Sequence, residues 1–264
     1  MSNHFFIFAH PDDEFACSGI ISRLVKQGAG VHCIYLTDGG HGGQSTAKRR
    51  AESEAALSRL GLNVTHIHQL GMDHGLPDGL LHTKMPKAYD VLLATIESII
   101  SPAGGITIHL PAWEGGHQDH DASHAIGIAA ARRYRAALRQ FPLYCGKGLP
   151  GPLFSVKRHL AENGKIVDGV RLGPKERISA ITLCFEHRSQ WKSWLGLLPF
   201  FGAKILLRGR FDEQGVSSHR IEERPHAGPL LYERRGGPTY EDVATAVSAL
   251  LSFQSNGSGN LGEQ

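Results

Sequence analysis

The feature that most constrains this chain is an alternation across its first 140 residues, where short apolar runs trade places with segments of helical period. Residues 5–9, Phe5-Phe6-Ile7-Phe8-Ala9, contain no polar position. Such a run suits a strand buried on both faces, as in the middle of a parallel sheet. In 14–27, Phe15, Ile20, Ile21, Leu24 and Val25 recur at helical spacing, and Gly28 to Gly30 end the segment. The same logic predicts strands over 31–36, 63–69 and 105–110, and helices over 46–60, 87–100 and 119–139. Strand-helix alternation implies right-handed crossovers and a parallel sheet. The expected architecture is a Rossmann-like, three-layer α/β sandwich whose ligand site lies beyond the carboxyl ends of its strands.

The pattern changes after Phe141. Residues 155–161 and 166–172 flank Asn163-Gly164, a type I′ turn signal, which predicts a C-terminal β-hairpin. A helix is expected over 174–187 and another over 240–253. Between them, 194–207 is strongly apolar but interrupted by Pro199, Gly202 and Lys204, too short and broken to span a bilayer. That stretch is expected to serve as core, as a subunit contact in a homo-oligomer, or as a patch facing a lipidic substrate. The organisation predicted is one domain over 1–254, with a core at 1–140, an elaboration at 141–254 that completes the site, and a flexible Gly/Ser/Asn-rich tail at 255–264.

Charge excludes one class of partner. The 28 Lys and Arg against 25 Asp and Glu give only +3, and the basic residues are scattered, so no nucleic-acid surface is expected. Cys17, Cys33, Cys145 and Cys184 lie in apolar segments without zinc-knuckle spacing and are expected as reduced, buried hydrophobes. No charged n-region or cleavage site precedes the first strand, and the expected location is cytoplasmic.

Sixteen histidines are available, and two short turns concentrate the useful ones. Ala9-His10-Pro11-Asp12-Asp13-Glu14 follows the first strand, where His10 and Asp13 offer nitrogen and oxygen to one metal and Asp12 is left for proton transfer. Helix capping would explain one of these carboxylates. Gly115-Gly116-His117-Gln118-Asp119-His120 follows the fourth strand, and histidines three apart share one side of a helical turn. Two histidines and one carboxylate leave coordination positions open, as in catalytic rather than structural zinc sites. Glu14 is expected as a helix-start or supporting carboxylate, and His41 as a loop histidine near the site. Arg49 and Asp73 are candidate substrate contacts, for an anionic group and for sugar hydroxyls, with solvated surface charges as the alternative.

These residues resemble the PIG-L/LmbE-like family of metal-dependent N-acetylglucosaminyl deacetylases, which shows AHPDDE after a strand and a later HxDH, here His117-Gln118-Asp119-His120. Thr37-Asp38-Gly39-Gly40, the segment 49–52 and His187-Arg188-Ser189-Gln190 also look familial; Gln118 stands where proline is frequent. The resemblance implies His10, Asp13 and His120 as zinc ligands, with Fe2+ able to replace zinc. It implies Asp12 as general base and a cationic His117 that stabilises the oxyanion and assists the leaving amine. The implied substrate is an N-acetylated amino sugar or conjugate, cleaved to acetate and free amine. Alternatives are an amidase removing a larger acyl group and a non-catalytic metal- or glycan-binding module. A nucleotide site is disfavoured, because neither G-x-G-x-x-G nor a Walker motif follows the first strand.

Overall fold

The computed structural model of the protein describes residues 2–43, 45–100 and 104–258, the last four as backbone only. In chain order the main elements are β1 (Asn3–Phe8), α1 (Ser18–Lys26), β2 (Gly30–Tyr35), α2 (Thr46–Arg59), β3 (Ile67–His68), α3 (Leu70–His74), α4 (Met85–Ile99), β4 (Ile106–Pro111) and α5 (Gln118–Tyr134). They continue with β5 (Ala137–Phe141), β6 (Tyr144–Cys145), β7 (Ser155–Val156), β8 (Ile166–Arg171), α6 (Pro174–Leu183), α7 (Trp191–Arg208), β9 (Arg210–Gly215), α8 (Leu231–Arg234) and α9 (Tyr240–Ser258).

Seven strands form one sheet in the order β3-β2-β1-β4-β5-β9-β8. The first five are parallel, and β9 and β8 add antiparallel pairs at one edge. The α/β sandwich read from the sequence is therefore present. Alternation along β1 divides the core: Phe5 and Ile7 pack with Ile108, Leu110 and the helices α4, α5 and α9, while Phe6 and Phe8 pack with Cys33, Tyr35, Ile20, Phe201 and Phe211 on the opposite face. The four cysteines are free and buried, as expected.

The order fixes where a ligand can sit. From β1 the chain proceeds to β2 and β3 on one side, then returns to place β4 and β5 on the other. Loops leaving β1 and β4 therefore diverge and open a crevice at their carboxyl ends, the topological switch point of a doubly wound sheet. Both histidine-rich turns emerge there.

Several boundaries differ from the sequence reading. The helix expected over 119–139 stops at Tyr134, because Arg135 adopts a left-handed conformation (φ 50°) and its N–H closes on Ala131 O; residues 137–141 then form β5. Of the strand expected over 63–69, only Ile67 and His68 pair, after a 3-10 turn at Val64–His66. Asn163-Gly164 does not close a hairpin. Asn163 is buried, with its side-chain amide donating to Trp113 O (2.9 Å) and its carbonyl accepting from Gln140 Nε2 (3.2 Å). Anchored to the core, it cannot lead a free two-residue turn, so β8 pairs with β9 and β7 with β6. The apolar stretch at 194–207 lies within one long helix, α7. The α9 backbone runs to Ser258, past the point where the tail was expected to begin, and 259–264 lie outside the described residues.

Candidate active site

His10, Asp12 and Asp13 leave β1 in a turn that ordinary backbone geometry disfavours: Asp12 has φ 125°. The turn is pinned from beneath by Glu14, which is fully buried. Asp12 N–H donates to Glu14 Oε2 (3.1 Å), Tyr35 Oη donates to the same oxygen (2.9 Å), and His187 Nε2 meets Oε1 at 2.7 Å. Pro11 O and Asp12 Oδ1 both accept from Arg49 Nη2, at 2.5 and 3.2 Å. Asp12 faces the crevice, and Asp13 turns inward.

Asp13 Oδ2 accepts from the N–H groups of Ala9 (3.0 Å) and His10 (2.9 Å), while Oδ1 lies 3.1 Å from His120 Nε2. Burial raises the Asp13 carboxyl, but His120, His10 and these N–H groups outweigh it and lower it to about 2. His10 Nε2 is held by Asp78 Oδ1 and Asp119 Oδ2, each at 3.2 Å, and its Nδ1 lies 3.7 Å from Asp13 Oδ2. Burial opposes a proton on His10, yet the surrounding carboxylates outweigh it and raise its pKa. The field that favours a proton there also favours a metal cation.

One ligand atom from each of His10, Asp13 and His120 lies within 4.8 Å of the others, and all three residues are buried. Two imidazoles and a carboxylate, with His10 backed by two further carboxylates, suit zinc or iron(II). A second grouping, His10, His117 and Asp119, is equally compact. However, Asp119 is already committed: its oxygens accept from Gly79 N–H (2.6 Å) and Leu81 N–H (3.0 Å) and brace His10. In the first grouping, Asp13 and His120 carry no such second commitment to a neighbouring loop among the described residues.

His117 caps α5, its Nδ1 accepting from Asp119 N–H at 3.2 Å. Neutral His117 thus carries its hydrogen on Nε2. Burial and the neighbouring His10 lower its pKa to about 3. Both effects favour the neutral ring, where the sequence reading expected a cation. Burial pushes Asp12 up to about 6, with Arg49 opposing the rise.

His10, Asp12, Asp13, Asp78 and His117 line a cavity of about 260 Å³ together with Phe15, His41, Tyr144, Ser193, Leu197 and Arg235. Arg49 is there, but turned inward: it also reaches Gly39 O (2.8 Å) and Asp78 Oδ2 (3.2 Å), so its charge is spent on the protein. Asp73 is not among the lining residues; it is exposed and pairs with Arg50 (3.4 Å), which corrects its reading as a sugar contact. Asp78, five residues on, is in the site instead, and the turn-forming Pro77-Asp78-Gly79 was its only sequence signal. Gln118 ties the same loop in place, Nε2 donating to Gly79 O (3.0 Å).

Fold and site together define a doubly wound α/β protein with a two-histidine, one-carboxylate cluster at its switch point. Residues 5–131 match the PIG-L family, described as GlcNAc-PI de-N-acetylase. No curated protein matches. Among solved structures, a deacetylase of the teicoplanin biosynthetic pathway superposes with TM-score 0.62 at 15% identity, covering 82% of this chain and 98% of that one. The conserved protein TT1542 from Thermus thermophilus gives 0.57 at 18% identity, covering 81% and 94%. The N,N'-diacetylchitobiose deacetylase from Pyrococcus horikoshii also gives 0.57 at 18% identity, covering 86% and 88%. At such identities the likeness establishes the fold. Among the described residues, no helix is long and apolar enough to cross a membrane.

Proposed function

We propose that the protein is a divalent-metal-dependent N-deacetylase that hydrolyses the acetamide of an amino sugar or its conjugate. One observation carries this reading: His10 and Asp13, which form a compact donor set with the fully buried His120, line the same cavity as the strained Asp12. The family match supports the reaction class.

A zinc or iron(II) ion held by those three residues would polarise the amide carbonyl and make water more acidic. Asp12 is the general base. At neutral pH its carboxyl is ionised, and a pKa raised to about 6 makes it a better proton acceptor than an ordinary aspartate. It removes a proton from water attacking the carbonyl carbon, then delivers that proton to the nitrogen as the C–N bond breaks. Acetate and the free amine leave. His117 donates from Nε2 to the oxyanion as charge develops, a contribution of roughly 3 kcal/mol for one such donor. A neutral imidazole suits this task, and Asp12 rather than His117 supplies the leaving-group proton.

The test separates holding metal from moving protons. Asp12→Asn is expected to retain bound metal by elemental analysis while losing at least about 100-fold in acetate release from N-acetylated sugars. His120→Ala is expected to lose the metal. Equal metal loss in both variants overturns this division of labour, and metal retention without acetate release from any N-acetyl sugar by the unmodified protein overturns the deacetylase reading.

A further inference from the structure

Helix α7 is apolar on sides where a surface helix should be polar. At about 100° per residue, its circumference divides into three sectors. Trp194, Phe201 and Ile205 are buried in the core. Ser193 and Leu197, on the adjoining sector, line the active-site cavity. The remaining half faces solvent yet presents Trp191, Leu195, Phe200, Leu206 and Leu207, with exposures reaching 70% at Leu195 and 83% at Leu207. Phe185 and Ile178, from the preceding segment that packs beside α7, are also exposed.

Charge says what covers this face. From Arg171 through Arg210 there are eight lysines and arginines against only Glu176 and Glu186, an excess of six positive charges, although the whole chain carries +3. Arg171, Lys175, Arg188, Lys192 and Arg208 are exposed. Exposed aromatic and leucine side chains interspersed with cations fit a surface that is apolar inside and anionic at its boundary. A second copy of this chain would bring the same positive excess against itself, which disfavours self-association through this face.

We propose that the exposed half of α7, with the neighbouring surface of α6, docks the protein onto an anionic lipid bilayer. In this arrangement α7 lies in the interface rather than crossing it, and its Ser193–Leu197 side brings the cavity beside the membrane surface. Docking is read without turnover, so it stands or falls separately from the deacetylase reading.

The experiment is vesicle flotation of the full chain, using phosphatidylcholine with and without phosphatidylserine. Binding to the anionic vesicles is expected to be at least about tenfold tighter, and to weaken as salt is raised. The triple variant Leu195→Ser, Phe200→Ser, Leu207→Ser is expected to lose at least about tenfold in vesicle binding. Because all three side chains are exposed, its melting temperature and its hydrolysis of a soluble N-acetyl sugar are expected to remain unchanged. Three results overturn the proposal: no preference for anionic vesicles, undiminished binding by the triple variant, or a light-scattering dimer that the triple variant converts to monomer.

Discussion

Replacing Arg49 by methionine tests the internal logic of the site, because this guanidinium holds four acceptors from three different loops. It reaches Pro11 O, Gly39 O, Asp12 Oδ1 and Asp78 Oδ2, all between 2.5 and 3.2 Å, and is only 5% exposed. Methionine fills similar space but leaves two partly buried carboxylates without their cation. Asp78 keeps His10 as a partner at 3.2 Å, so most of the penalty falls on Asp12. Breaking a buried pair costs about 3–5 kcal/mol, and the retained partner argues for the lower end, near 3 kcal/mol. For a chain of this size that lowers Tm by roughly 6–12 °C. Catalysis should suffer separately, since a displacement of about 1 Å at Asp12 is worth on the order of 100-fold in kcat. Initial rates on a neutral, soluble N-acetyl sugar, with metal content and thermal unfolding measured in parallel, supply the readout. The expected result is a fall in kcat at nearly constant KM. Arg49→Lys should recover part of the stability but little of the rate, because one ammonium cannot reproduce the planar fork. An unchanged kcat, with KM rising only for anionic substrates, would show that Arg49 serves the substrate and would refute the reasoning.

Two further outcomes probe the scaffold. Lys157 is buried, with Nζ donating to Ala16 O and lying 4.1 Å from the centre of the Phe211 ring, and burial lowers its pKa from 10.5 to about 7. Between those values the unfolded chain holds a proton that the folded one has shed, so raising pH through this window strengthens folding, while below it the folded state bears the full cost. Lys157→Met should flatten that slope and stabilise the protein at pH 7 by on the order of 1–3 kcal/mol; urea unfolding at pH 7 and 9 checks both, and an unchanged slope counts against the assignment. Gly71→Ala should lower Tm by roughly 5–10 °C, since its Cβ would lie 1.9 Å from the carbonyl carbon of Thr37 and force apart the loop carrying Asp38; a melting curve like that of the unmodified protein would contradict this.

The legible parts of the fold were those where one physical requirement acted alone. β1 is buried on both faces, and its unbroken apolar run says so directly. β5 was hidden because Ala136, Ala137 and Leu138 are good helix formers, and only the left-handed Arg135 separates them from α5. The apolar stretch in α7 was legible, but its division into core, cavity and solvent faces was not, because a helix apolar on opposite sides has no amphipathic period to detect. The ligand candidates were readable because His10 with Asp13, and His117 with His120, each fall within one turn. Their supports were not. His187 lies 173 residues from Glu14, and Asp119 lies 40 residues from the Gly79 N–H it accepts, so only tertiary structure joins them.

The site's division of labour depends on one expensive backbone conformation. His10, Asp12 and Asp13 are nearly consecutive, yet one braces against Asp78 and Asp119, one faces the crevice, and one turns inward toward His120. A regular strand would alternate their directions and a regular helix would step them by about 100°, and neither sends all three where they are. The φ of 125° at Asp12 breaks that regularity at a cost of roughly 1–3 kcal/mol. Glu14 beneath and Arg49 above offset the cost through bonds to Asp12 N–H, Asp12 Oδ1 and Pro11 O. Glu14 and Arg49 therefore hold the backbone and carboxylate of Asp12 in place. Their removal should disturb Asp12 first and the neighbouring His10 and Asp13 second.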